Sequence, residues 1–199
     1  MTVKNGPWSV LASRSVYKNP WIEIVDNDVT HPDGSPGQYG VVKFANIAIG
    51  VLPLDRDGNT WLVGQHRFPH DRYSWELPEG GGPLAIEAVE SARRELREET
   101  GLTARQWLPL CEMDISNSVT DERAVCFIAT DLEQGQSSPE PSEALAIRRC
   151  AFSELLRDVL SDAITDSLTK LMVLTAYAKA REGRLPEDVQ RLILSSDGI

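Results

Sequence analysis

Three glutamates on one predicted helix, Glu95, Glu98 and Glu99, are the residues best placed to do chemistry, because a glycine-rich bend, Gly80-Gly81-Gly82, lies shortly before them. At 100° per residue, with Glu95 at zero, Ala88, Val89, Ala92 and Leu96 fall between about 20° and 120°, the face turned to the core. Glu99 falls near about 40°, inside that arc, with Glu95 on its edge and Glu98 beyond it. Carboxylates at a core boundary are costly unless something positive neutralises them, and no Lys or Arg of the helix points there. Glu90, Arg93, Arg94 and Arg97 fall on the solvent side, where Glu90 is expected to pair with Arg94 one turn on. A hard divalent cation is the expected partner of the inward carboxylates. Mg2+, with Mn2+ as the alternative, takes oxygen ligands and keeps several waters, so a few carboxylates, a carbonyl from the bend near Glu79 and substrate phosphate oxygens would satisfy it. On the helical wheel alone, a charged helix with merely solvated glutamates competes with this reading.

The elements that must position this helix read as mixed α and β. Trp21 to Thr30 and Gln38 to Ala45 are β-rich and flank a Pro- and Gly-containing turn at 31–37, which predicts a hairpin. Ala48 to Leu54 and Thr60 to Phe68 flank Asp55-Arg56-Asp57-Gly58-Asn59, a second hairpin signal, and Pro69 then breaks the strand. After a strand at Tyr73 to Leu77, the run Pro78 to Pro83 is expected to bend around something rather than continue a regular element. The helix over Ile86 to Thr100 stops at Gly101. Further strands are predicted at Leu108 to Ile115, Ala124 to Thr130 and Leu145 to Phe152, and further helices at Ser153 to Leu160, Asp166 to Glu182 and Pro186 to Leu194. Gln134 to Ser142 reads as a loop of the kind that closes over sites. In the long C-terminal helix, Leu168, Leu171, Met172 and Ala176 form one apolar stripe and so belong to the core. Strands enclosed by helices imply an α/β sandwich.

Composition narrows the function classes. At 199 residues, with 41% hydrophobic and 25% charged residues, the chain suits one sizeable core. A formal charge of −10 argues against a general nucleic-acid binder, which needs clustered cations. The sequence has neither an apolar run of membrane-spanning length nor a secretory leader pattern, and Cys111, Cys126 and Cys150 lack metal or redox spacing. Reduced, buried thiols and a cytoplasmic location are the expectation. His66 and His70 are four apart, but Pro69 between them rules out a helical metal pair.

The segment from Gly80 to Leu102 resembles the Nudix signature, a glycine, five residues, a glutamate, seven residues, and then Arg-Glu-aliphatic-x-Glu-Glu-x-Gly-aliphatic. Gly80, Arg94, Glu95, Leu96, Glu98, Glu99, Gly101 and Leu102 match at their proper spacing. One position departs: Ile86 stands where the family has a glutamate that braces the arginine, and Glu87, two turns from Arg94, is the expected substitute. The resemblance implies an α/β/α sandwich with a mixed sheet, direct metal ligation by Glu95 and Glu99, Glu98 joining them or orienting a water, and Arg94 holding Glu98.

Looser stretches, Val16-Tyr17-Lys18-Asn19-Pro20-Trp21, Gln65-His66-Arg67-Phe68-Pro69, Trp75-Glu76-Leu77-Pro78-Glu79-Gly80 and Asp166-Ser167-Leu168, are similar to the ADP-ribose pyrophosphatase branch. That branch implies hydrolysis of a nucleoside diphosphate sugar, most simply ADP-ribose to AMP and ribose 5-phosphate. GDP-mannose or a related substrate, and a non-catalytic nucleotide-sugar sensor, are the alternatives. It also implies a small N-terminal β annex over 1–45 ahead of a hydrolase domain over 46–199, with the annex exchanging across a homodimer. Arg67, Glu76, Gly80 and Gly81 are the candidate substrate contacts. Trp21 is expected to be buried in the hairpin or at a dimer contact, with base stacking as its alternative role. A general base is expected from the loop after the signature helix, where Glu140 and Glu143 are the candidates. Asp121, in the polar cluster 121–123, is expected in a turn.

Overall fold

The structure is a computed structural model describing residues 2–136 and 145–194, so Glu140 and Glu143 lie outside the described residues. It divides into two compact units, Met1–Ile47 with Met113–Arg123, and Ala48–Glu112 with Ala124–Ile199.

The first unit is an antiparallel sheet in chain order, formed by β1 (Val3–Asn5), β2 (Trp8–Lys18), β3 (Ile22–Thr30) and β4 (Pro36–Phe44). The hairpin between β3 and β4 closes where His31 N–H donates to the Ser35 carbonyl at 2.8 Å, with Gly34 at φ 90°. Strand β2 was not expected. Its register shifts between Val10 and Ala12 and again between Ser15 and Tyr17, and each extra residue breaks the alternation by which a half-buried strand is recognised. Trp21 is 67% exposed, which corrects the expectation of burial within the hairpin. Residues 116–121 run along the outer edge of β4: Val42 N–H donates to the Val119 carbonyl at 2.9 Å and Asp121 N–H to the Val42 carbonyl at 3.2 Å. The Asp121 carboxylate accepts from Phe44 N–H at 2.8 Å, so it ties down the end of β4 and does not serve a turn as expected.

The second unit holds β5 (Asn46–Pro53), β6 (Asn59–Arg67), β7 (Arg72–Glu76), β8 (Glu79–Pro83), α1 (Ala88–Thr100), β9 (Leu102–Asp114), β10 (Arg123–Gln134), β11 (Ala146–Ala151), α2 (Phe152–Leu160), α3 (Ser167–Arg181) and α4 (Glu187–Leu194). One sheet runs β8-β5-β10-β9, with β5 and β10 parallel; the other runs β11-β6-β7, antiparallel. Successive residues of a strand face opposite sides of its sheet, and Ile49 and Gly50 on β5 show what covers each side. A Cβ added at Gly82 would meet Ile49 and Ser91 of α1, both at 3.0 Å, whereas one at Gly50 would meet Met172 of α3 at 2.7 Å. Helices therefore cover both faces, an α/β/α sandwich. Ile49, Leu52, Leu62, Leu96, Ile128, Phe152 and Met172 fill its core without solvent exposure.

Two local expectations change. The bend at 79–83 is itself a strand, begun where Val51 N–H donates to the Pro78 carbonyl at 2.9 Å. Its glycines cost strand propensity but let the backbone pass close beneath α1. On α3, Leu168, Met172 and Ala176 are buried while Leu171 is 39% exposed, so the core row follows the i, i+4 spacing and Leu171 lies at its margin.

Helix α3 also pins the segment that leads into β8. The Leu77 N–H donates to Thr169 Oγ1 at 2.9 Å, and Thr169 is fully buried. Thr169→Val keeps the shape but strands that N–H without an acceptor. The expected loss is about 1–3 kcal/mol of unfolding free energy, measured by urea denaturation; an unchanged midpoint would show that another group satisfies Leu77.

Candidate active site

Strands β6 and β7 form a hairpin through a 3-10 turn at Phe68–His70, with Arg67 opposite Arg72 and Val63 opposite Glu76. The Arg67 side chain reaches Glu76, the last residue of β7. Its Nε donates to both oxygens of Glu76 at 3.0 Å, and its terminal nitrogen bonds Glu76 as well as Glu79, the latter at 2.5 Å. Glu76 is 2% exposed. The sequence left open whether it points outward from the strand, and it points inward.

Three residues after Glu76 the chain wraps α1. Glu79 N–H donates to Glu99 Oε2 at 3.1 Å. Gly80 lies against Glu95 so closely that a Cβ would sit 2.2 Å from the Glu95 carboxyl carbon. The Gly81 carbonyl accepts from Arg94 at 2.8 Å. Three consecutive backbone positions thus grip one helix face, and Glu95 and Glu99 are buried there at 8% and 5% exposure. Gly80→Ala would drive its methyl group into a carboxylate, displacing Glu95 and the bend. We expect turnover to fall by roughly 10²-fold, the scale of a 1 Å misplacement, with a circular dichroism spectrum like that of the parent. Retained turnover would mean that the Glu95 position is not used.

Arg94 lies away from the solvent role the wheel assigned. It donates to Glu98 at 2.8 Å and Glu95 at 2.6 Å in addition to Gly81, while Glu90 pairs instead with Arg93 at 3.3 Å. Three acceptors outcompete the single carboxylate Glu90 offers. The expected brace from Glu87 is not formed either: Glu87 is the helix N-cap, and none of Arg94's hydrogen bonds among the described residues reaches it. The Gly81 carbonyl takes that place, so Ile86 is half exposed without leaving Arg94 unsupported.

A residue that sequence reasoning did not place in the site completes it. Glu76, Glu79 and Asp166 each present an oxygen within 4.8 Å of the others. Asp166 is the N-cap of α3 and accepts from Thr169 N–H at 2.6 Å. The signal was its position, an Asp three residues before a Thr at a helix start, but capping alone predicts no partner across the fold. Burial first, then the charges of Asp166 and Glu76, push the Glu79 carboxyl well above the usual range. At Glu76 burial works in the same direction, but the hydrogen bonds from Arg67 and Ser74 and the Arg67 charge overcome it, leaving that carboxyl below its ordinary value. Among the described residues, Glu79 Oε2 is buried without a hydrogen-bond partner. An all-oxygen donor set, two carboxylates gripped at the core boundary and an orphaned carboxyl oxygen beside them fit a hard divalent cation.

The fold and this acidic clasp set a carboxylate helix beside an oxygen-rich cluster suited to a hard cation. The NUDIX domain family model matches residues 45–170, and the chain belongs to that family. Residues 8–42 match the nucleoside diphosphate sugar hydrolase N-terminal domain. The chain is 34% identical over 174 residues to the ADP-ribose pyrophosphatase of Mycobacterium tuberculosis, covering 86% of this chain and 84% of that one. It is 29% identical over 170 residues to the ADP-ribose pyrophosphatase of Bacillus subtilis, covering 84% and 88%. A crystal structure of an ADP compounds hydrolase superposes with a TM-score of 0.79 at 18% identity, covering 89% of this chain and 97% of that one, which supports the fold.

Proposed function

We propose that the protein cleaves the pyrophosphate bond of a nucleoside diphosphate sugar, with ADP-ribose as substrate and AMP and ribose 5-phosphate as products. The observation that carries this is the clasp: Glu79 N–H on Glu99 and a Cβ-free Gly80 against Glu95. Its support from outside the chain is the pair of ADP-ribose pyrophosphatase relatives.

Glu95, Glu99 and Glu98, with the Glu79 carbonyl, would hold Mg2+, with Mn2+ as the alternative. A cation bound there would supply charge to neutralise the diphosphate and to lower the pKa of an attacking water. Arg94 fixes the spacing of Glu95 and Glu98, and Glu98 orients the water. Arg67, whose side chain remains 36% exposed despite its carboxylate partners, contacts a phosphate or ribose oxygen, with Glu76 setting its direction. The Gly80 and Gly81 backbone lies along the substrate, and Glu140 or Glu143 supplies the general base. Residues 1–45 act as a dimerisation arm to a hydrolase domain over 46–199, with exposed Trp21 in the homodimer contact. The charge of −10 disfavours nucleic acid as a partner, and among the described residues no helix is long and apolar enough to cross a membrane. We place the protein in the cytoplasm.

The test is a comparison of kcat/KM for ADP-ribose, GDP-mannose and other sugar nucleotides with Mg2+ and with Mn2+, products identified by chromatography. ADP-ribose is expected to lead, releasing AMP. Binding of these compounds without turnover would overturn the hydrolase reading in favour of a sensor.

A further inference from the structure

Cys111 and Cys126 lie outside the acidic site on neighbouring strands, β9 and β10. The strands are joined by the short connection 115–122, too short for a parallel crossover, so they run antiparallel. Gln106 on β9 donates to Asp131 on β10 at 3.1 Å. Moving equally far along both strands toward the connection brings Cys111 opposite Cys126. The two thiols lie close enough for each to shift the other's ionisation, and all three cysteines of the chain are free.

The surroundings of the two sulfurs differ. β9 is the edge strand of its sheet and Cys111 is half-buried, whereas Cys126 is 1% exposed on the inner strand. Thr175 of α3 hydrogen-bonds the Cys111 sulfur, and Lys179, one turn on, is anchored by donating to the Leu110 carbonyl at 2.5 Å. The Cys126 contact, against the opposing effect of burial and with help from the Lys179 charge and Thr175, brings the Cys111 thiol down to about 7. The same contact and burial push Cys126 up, and burial pushes isolated Cys150 up to about 11. On the strand beyond, a Cβ at Gly50 would sit 3.2 Å from Cys126 Sγ and 2.7 Å from Met172, so the place beside the buried sulfur is filled by Met172 of α3.

We propose that Cys111 and Cys126 are a reversible oxidation site, in which a hydroperoxide converts the facing thiols into an intramolecular disulfide linking β9 to β10. The Cys111 thiolate attacks one peroxide oxygen, the O–O bond breaks, and Cys111 becomes a sulfenic acid as hydroxide leaves and takes up a proton to form water. The Cys126 sulfur then displaces the sulfenic oxygen, which departs as a second water with the Cys126 proton. In sum, two thiols and one hydrogen peroxide give one disulfide and two waters, with each sulfur giving up one electron. The Cys126 contact, with the Lys179 charge and Thr175, favours the anionic form of the attacking sulfur, and the adjacent Cys126 intercepts the sulfenic acid before further oxidation.

The experiment treats the native protein with a small excess of hydrogen peroxide, blocks remaining thiols with iodoacetamide, and maps peptides by mass spectrometry. A Cys111–Cys126 linked peptide that dithiothreitol removes is expected, and it should persist in Cys150→Ser. In untreated protein, Cys111 should alkylate at least about 10-fold faster than Cys150 at neutral pH, as thiolate character requires. In Cys126→Ser, Cys111 should accumulate as a dimedone-trapped sulfenic acid and proceed to sulfinic acid. The proposal is overturned if the parent protein gives no such linkage under peroxide, or if Cys150 appears in the linked peptide.

Discussion

Glu99→Gln is expected to lower kcat for ADP-ribose by roughly 10²–10³-fold, the range associated with losing one preorganised electrostatic contact to the transition state. The substitution is nearly isosteric. Its amide oxygen can still accept the Glu79 N–H that Glu99 Oε2 accepts at 3.1 Å, so the clasp survives while one negative charge disappears. At 5% exposure Glu99 has little water to soften that change. Activity should be measured across a Mg2+ titration, with circular dichroism as the control on folding. Raising Mg2+ should recover part of the loss if the missing charge weakens cation binding. Parent-like activity at every concentration would show that the Glu99 charge takes no part in turnover.

The second large effect concerns stability. Arg67→Ala removes the guanidinium that spans Glu76 and Glu79 and leaves Glu76, 2% exposed, without its cation. Breaking a buried pair from one side typically costs 3–5 kcal/mol; because Arg67 itself is 36% exposed, the lower end, about 3 kcal/mol, is expected. The pH dependence has a definite sign. The Glu76 carboxyl is held below its ordinary value, so its stabilising contribution is present above the unfolded pKa and lost as pH falls through the folded one. The Glu79 carboxyl is raised, so folding favours its protonated form and its burial is least costly at low pH. Without Arg67 both groups resist ionisation, and the gap between variant and parent should be widest near neutral pH and narrow as pH falls toward the carboxylate range. Urea denaturation with a chelator present, at about pH 7.5 and about pH 5, measures this. A gap of the same size at both values would mean that the pair titrates alike folded and unfolded.

Residues close in sequence carried most of what could be read before the structure. The α1 carboxylates, the Gly80 approach and the stop at Gly101 lie within one continuous stretch, where helical periodicity and turn chemistry act locally. The helix-on-both-faces architecture followed from alternating strand and helix patterns. What escaped was non-local or masked by irregularity. Asp166 reaches Glu76 and Glu79 only through the docking of α3; the stretch Asp166-Ser167-Leu168 carried the family resemblance, but nothing local to it tells that its carboxylate meets those two. Arg94 was assigned to solvent because the wheel counts only the residues of its own helix, whereas the Gly81 carbonyl comes from the neighbouring strand. Strand β2 hid behind its two register shifts.

The edge of β4 is closed by residues 116–121, from a stretch that joins the first unit only after the chain has passed through much of the second. During synthesis at about 5–20 residues per second, the span from 47 to 123 takes roughly 4–15 s to emerge. For that interval the nascent sheet shows an open row of amides and carbonyls, which invites pairing with other newly made chains. The same interleaving means that a proteolytic fragment ending near residue 47 would carry this sheet with one border permanently raw.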